Sequence, residues 1–95
     1  YLSEDEIAVA RQLNGVLAQA GANATAGGSV AEIEAQAARS LLEAGFAKVD
    51  YVAIRQADSL AVFEGDRVDT PGRIRAAAWL GKTRLIDNMA VAAVG

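Results

Sequence analysis

The sequence contains neither cysteine nor histidine. That removes thiol nucleophiles, disulfides, imidazole bases and the commonest zinc ligands together. Basic residues are also in short supply, with 9 Lys and Arg against 12 Asp and Glu and a net charge of -3. Binding to nucleic acid rests on a basic surface that neutralises phosphates, and neither this balance nor the 5% aromatic content supports it. No apolar run approaches the ~20 residues needed to span a bilayer, and no basic region precedes an apolar signal core. The expectation is a soluble, cytoplasmic protein with no nucleic-acid partner and no membrane partner.

What is present is enough for a core. With 53% hydrophobic residues in 95, the chain reads as one small domain, and a domain of this size buries roughly 60 to 70% of its unfolded surface. It opens at Tyr1 rather than Met, two residues before a helix cap, which reads as a piece cut at a domain boundary.

Leu2-Ser3-Glu4-Asp5-Glu6-Ile7 is a dense helix-start signal. Ser3 is the N-cap, Glu6 completes a capping box, Leu2 staples to Ile7, and the acidic first turn suits the positive end of the helix dipole. Ile7, Ala10, Leu13, Leu17 and Ala20 recur on one face of a helix expected to end near Gly21. An acidic cation site at Glu4, Asp5 and Glu6 is the rival reading of the same residues, and the capping box already explains them. Residues 21–28, GANATAGG, read as a small-residue linker; Gly27-Gly28 fits neither GxxxxGK[ST] nor GxGxxG after a strand. Ser29 and Glu32 repeat the capping-box spacing, so a second helix should begin at Val30, turn Ile33, Ala37, Leu41 and Leu42 inward, and close at Gly45. Phe46 should fold back onto its last turn.

From Val49 the pattern changes to VDYVAIRQ, a strand by its β-branched and aromatic content and its alternation. Val52 and Ile54 share one face; Tyr51, Ala53 and Arg55 share the other. Asp58-Ser59 turns the chain, and Leu60 to Phe63 reads as a short edge strand or an extended segment. Glu64 to Gly72, with the single proline at Pro71, is the main surface loop. Its charges, Glu64, Asp66, Arg67 and Asp69, read as solvated in preference to a ligand-binding tip.

Arg73 to Val91 is the most specific stretch. Ile74, Ala76, Ala78 and Leu80 point one way, and Arg73, Arg75, Ala77 and Trp79 the other. Gly81-Lys82 fits a two-residue type II′ turn, which requires positive φ at its first position. This register sets Trp79 opposite Arg84, Ala78 opposite Leu85 and Ala76 opposite Asp87; a slip by one residue would reverse the faces. Arg55, Arg73, Arg75, Lys82 and Arg84 either contact a phosphate or carboxylate of a partner or solubilise the sheet. Arg84 opposite Trp79 suggests a guanidinium over an indole. Asp87-Asn88, poor strand formers, read as bonding backbone groups in a bend in preference to reaching a neighbouring domain. Asp87 has no titratable partner nearby in sequence with which to act as an acid or base.

Taken together, YLSEDE, the GF followed by DYVAIRQADSL at 45–60, and RAAAWLGKTRLIDN at 75–88 resemble the C-terminal domain of the pantoate-β-alanine ligases (pantothenate synthetases). The likeness covers nearly the whole chain and is strongest in the two strand-forming segments. It implies an enzyme that uses ATP, with magnesium, to activate pantoate as an acyl adenylate, releases pyrophosphate, and lets β-alanine attack to give pantothenate and AMP. In that family an N-terminal Rossmann-like domain holds a HIGH-type motif and the catalytic His, Lys, Ser and Arg. A Ser-Ser-Arg segment lies just before the position where this chain begins. The C-terminal domain is a lid hinged close to Tyr1, and the parent is a homodimer joined mainly through the other domain.

The expectation is therefore an α+β, two-layer domain over residues 1–95, two helices on a small, mainly antiparallel three-stranded sheet with Val49 to Gln56 beside the 73–91 hairpin. It carries no catalytic, cofactor-binding or metal-binding residue of its own, and its partner is the N-terminal domain of the same chain. The rival is a free-standing interaction module that uses an exposed sheet face.

Overall fold

The computed structural model describes residues 2–94. Its elements run α1 (Glu4–Thr25), α2 (Val30–Ala44), β1 (Lys48–Gln56), β2 (Gly72–Leu80) and β3 (Thr83–Val91). The sheet has the order β1-β2-β3, with both neighbouring pairs antiparallel. Two helices on one face of a three-stranded sheet make the α+β layering that the sequence suggested. The hinge expected close to Tyr1 lies outside the described residues.

α1 begins with a complete capping box. Glu6 N donates to Ser3 Oγ at 3.2 Å, and Ser3 N donates to Glu6 Oε1 at 3.0 Å. Four backbone donors at a helix start lack intrahelical partners, so this exchange settles where the helix opens. Its end differs from expectation, because the helix runs through Gly21 to Thr25 and takes in most of the presumed linker. Gly21 and Ala24 are buried, and a Cβ on Gly21 would lie 3.6 Å from Val91 Cγ2. Small side chains here bring the helix close to β3, and that packing outweighs the cost of a mid-helix glycine, about 1 kcal/mol. The core stripe passes through Val9, Ala10, Leu13, Val16, Leu17, Ala20 and Ala24. Ile7 lies off it and is 41% exposed, while Leu2 packs against the core.

α2 opens at Val30 and closes at Gly45 as expected. Gly45 N donates to Leu42 O and Phe46 N to Leu41 O, at 3.2 and 3.1 Å, and Gly45 has φ +119. These two bonds form a Schellman cap, and they fold Phe46 into the core. Leu42 sits one residue beyond the buried Val30, Ile33, Ala37 and Leu41 line and faces outward, contrary to expectation. Only half of the second capping box exists: Ser29 Oγ accepts from Glu32 N at 3.3 Å. Asp66, 37 residues on, supplies the rest. Its carboxylate accepts from the Ser29 hydroxyl and from Ala31 N, and its carbonyl accepts from Val30 N at 3.1 Å.

The 64–72 loop is therefore not merely solvated, since Asp66 pins it to α2 and Val68 is fully buried beneath it. Asp66 also holds φ +56, a left-handed conformation that Asp tolerates better than most residues. Leu60 to Phe63 forms no strand. Leu60 turns the chain at φ +60, Gln56 N donates to Ala61 O at 2.8 Å, and Phe63 drops into the core.

The hairpin has the register that the alternation demanded, with Trp79 opposite Arg84, Ala78 opposite Leu85 and Ala76 opposite Asp87. Gly81 has φ +59 while Lys82 stays at negative φ, as a type II′ turn requires. Ile74, Ala76, Ala78 and Leu80 face the helices with Val49, Val52, Ile54, Leu85, Met89 and Val91. Asp87-Asn88 makes no bend, and β3 runs straight through it. The carboxylate of Asp87 accepts from Asn14 on α1 and from Asn88 N, while Asn88 Oδ1 accepts from Arg73. On an edge strand these bonds satisfy the polar side chains without breaking the ladder. Among the described residues no helix is long and apolar enough to cross a membrane.

Candidate functional site

With the helices on one face, the other face of the sheet is left uncovered. The register lays it out in four rows across β1, β2 and β3: Lys48, Trp79 and Arg84; Tyr51, Ala77 and Ile86; Ala53, Arg75 and Asn88; Arg55, Arg73 and Ala90. The second row is apolar. Ala77 is fully buried between its two neighbours, whereas Ile86 is 61% exposed. The remaining rows carry five cations.

Two carboxylates answer part of that charge. β1 changes register between Val49 and Tyr51, and the extra residue is Asp50. Its carboxylate accepts from Arg84 Nε at 2.8 Å and Trp79 Nε1 at 3.1 Å, with Lys48 Nζ 3.6 Å away. Arg84 and Trp79 are cross-strand partners as read from the sequence, and Asp50 is the link that reading missed. A bulge places one extra residue out of alternation, so a period-two pattern gives no warning of it. Glu34 on α2 accepts from Ile54 N at 2.8 Å and from Arg55 at 3.1 Å. Arg73 donates to the neutral Asn88 at 2.6 Å. Arg75 has no ion pair or side-chain hydrogen bond among the described residues.

The bond from Arg84, then that from Trp79, holds the Asp50 carboxyl below its ordinary value of 3.8. The Ser29 hydroxyl, then Ala31 N, does the same for Asp66. A carboxyl whose folded pKa is depressed contributes stability above its unfolded pKa, and that contribution is lost as pH falls through the folded value. Melting temperature is accordingly expected to drop as pH is lowered below about 4. Asp50→Asn and Asp66→Asn should each flatten the slope in thermal melts between pH 2 and 6. An unchanged slope in both variants would contradict the roles given to these carboxylates.

Nothing on this face pairs an acid with a base or activates a nucleophile. The Glu4, Asp5 and Glu6 cluster is spent at the helix start, with Glu6 tied to Ser3. Among the described residues no group of three or more acidic side chains converges as a metal site. Lys82 stays exposed at the hairpin turn. A concavity of about 230 Å³ lies between the helices, lined by Gln12, Val16, Gln19, Asn23, Ile33 and Gln36 among others. Sequence reasoning passed it over, because neutral amides at helical spacing read as a solvated face.

A family model described as pantoate-beta-alanine ligase matches residues 1–90. The pantothenate synthetase of Mesorhizobium japonicum is 50% identical over 91 residues, which cover 96% of this chain and 31% of that protein. The pantothenate synthetase of Caulobacter vibrioides is 48% identical over 92 residues, 96% of this chain and 32% of that protein. That of a Ruegeria species is 40% identical over 90 residues, 95% and 31% respectively. The chain thus spans about a third of the length of the curated relatives it matches.

Proposed function

The chain belongs to the pantoate-beta-alanine ligase family, and from that premise we propose that it is the C-terminal lid domain of an ATP-dependent ligase that condenses pantoate with β-alanine. In this reading the parent enzyme activates pantoate as an adenylate, releases pyrophosphate, and forms pantothenate and AMP when the β-alanine amine attacks. The chemistry belongs to an N-terminal Rossmann-like domain of the same chain. The parent is a cytoplasmic homodimer. Magnesium travels with ATP; the residues described here gather no carboxylates that fit it, and no step runs through them.

A lid's work is to exclude water, so that the acyl adenylate meets the amine rather than hydrolysing, and to hold the intermediate until it reacts. Such work needs a rigid, shaped surface with a few polar groups. The observation that carries the proposal is a well-packed domain of the ligase family with an uncovered, cation-bearing sheet face and no acid–base pair on it.

Pantothenate formation is the test, assayed on the 95-residue chain and on a full-length chain that contains it. The full-length protein is expected to turn over and the 95-residue chain to give no product above background. Turnover by the short chain alone would contradict the assignment.

A further inference from the structure

We infer that the concavity between α1 and α2 is a binding site for a compact, uncharged carboxamide with an apolar body. Every residue lining it belongs to one of the two helices. It therefore lies in the helical layer, apart from the open sheet face, and it does not rest on the ligase reading.

The lining sets the class of ligand. Val16, Ala20, Ile33 and Ala37 make its apolar part, and the last three of these are buried. Around them stand the polar side chains of Gln12, Gln19, Asn23, Gln36 and Ser40. None of the ten lining residues is charged, although charged residues make up 22% of the chain. An ion placed here would give up water without meeting a counter-charge, so the site disfavours ions of either sign.

The amides favour their own kind. Among the described residues a single hydrogen bond joins these polar side chains, from Gln19 Nε2 to Asn23 Oδ1 at 3.1 Å. A side-chain amide offers both a donor and an acceptor. Gln12 and Gln36 thus keep both, Gln19 keeps its carbonyl oxygen, and Asn23 keeps its NH2 group. A carboxamide on the ligand carries the same pair and can be matched on both edges. At about 230 Å³ the concavity is smaller than the roughly 300 to 1,000 Å³ of sites for drug-sized molecules, so the body of the ligand must be compact.

Gly15 is the independent observation. It stands in the middle of α1, where glycine is a poor helix former, and a Cβ there would meet nothing within 4 Å. Packing within this domain gives no reason for it, in contrast to Gly21 against Val91. Positions that break a local rule without a packing reason are where function is expected. Gly15 lines the concavity, so any side chain would narrow it, and the bare backbone lets a ligand come close.

Saturation-transfer NMR on the full-length chain tests this with three probes of one shape and different charge: benzamide, benzoate and benzamidine. Benzamide is expected to bind with a Kd of about 1 mM, and the two ions about tenfold or more weakly. Gly15→Ala should weaken benzamide about threefold and Gly15→Leu about tenfold or more by filling the space. Both variants should melt no lower than the unsubstituted protein, because alanine and leucine are better helix formers than glycine; a lost signal is then not lost folding. Gln12→Glu should reverse the preference, with benzamidine binding more tightly than benzamide. Three results would each overturn the proposal: no saturable benzamide binding, equal Kd values for the three probes, or benzamide binding unmoved by Gly15→Leu, which places the probe elsewhere on the chain.

Discussion

Ile74→Ala is expected to destabilise the domain by about 2 to 5 kcal/mol. Ile74 is fully buried in the central strand, with Ile54 and Met89 as its partners on the two neighbouring strands. Because β2 is held by hydrogen bonds on both sides, the backbone cannot collapse into the cavity, and the cost should not fall to the low end. A domain of this kind has about 5 to 15 kcal/mol in total, so this one change removes a large share of it. Urea denaturation should show the midpoint moving down by roughly 2 M at an m-value of about 1 to 2 kcal/mol per M. Leu42→Ala, a larger-to-smaller change on the outer side of α2, should stay within about 0.5 kcal/mol. Equal effects at the two positions would mean that the helix-facing side of the sheet is not the core.

Gly72→Val should cost about 1 to 3 kcal/mol by overpacking. A Cβ at Gly72 would lie 3.3 Å from Arg55 O, Phe63 Cζ and Val68 Cγ1 alike. One of these is backbone of the adjoining strand, and the other two belong to the irregular segment that closes over this end of the sheet. Strain there would loosen the segment that carries Asp66, and with it the start of α2. Gly15→Ala makes the opposite prediction. Its Cβ would meet nothing within 4 Å, so exchanging a mid-helix glycine for alanine should stabilise by about 0.5 to 1 kcal/mol. Denaturation of the two variants side by side checks both signs.

The hairpin was legible because its signals are local and agree with one another. Gly81 satisfies the turn, and the alternation around it permits a single register in which Leu80 and Leu85 share a face. α2 was legible for the same reason, with Ser29 at one end and Gly45 at the other. The far end of α1 was misread because Gly21 looks like a helix stop, and only its proximity to Val91 shows why a glycine is wanted inside the helix. Asp66 and Asp50 were read as surface charge or not singled out, although each ties together parts of the chain that lie far apart in sequence. Such bonds leave no periodic trace. The same limit applies to the candidate site: its arginines could be named from the strand pattern, but their gathering on one uncovered face depends on how β1 pairs with β2.

If this domain is a lid, its contribution should appear in how tightly ATP use is coupled to product, and the measurement is the ratio of pyrophosphate released to pantothenate formed. In the full-length enzyme the account predicts a ratio of about one, because the intermediate is protected until the amine arrives. Removing residues 1–95 from the full-length chain should cut pantothenate formation sharply and raise the ratio as adenylate is lost to water. An unchanged rate with an unchanged ratio after removal would contradict the account.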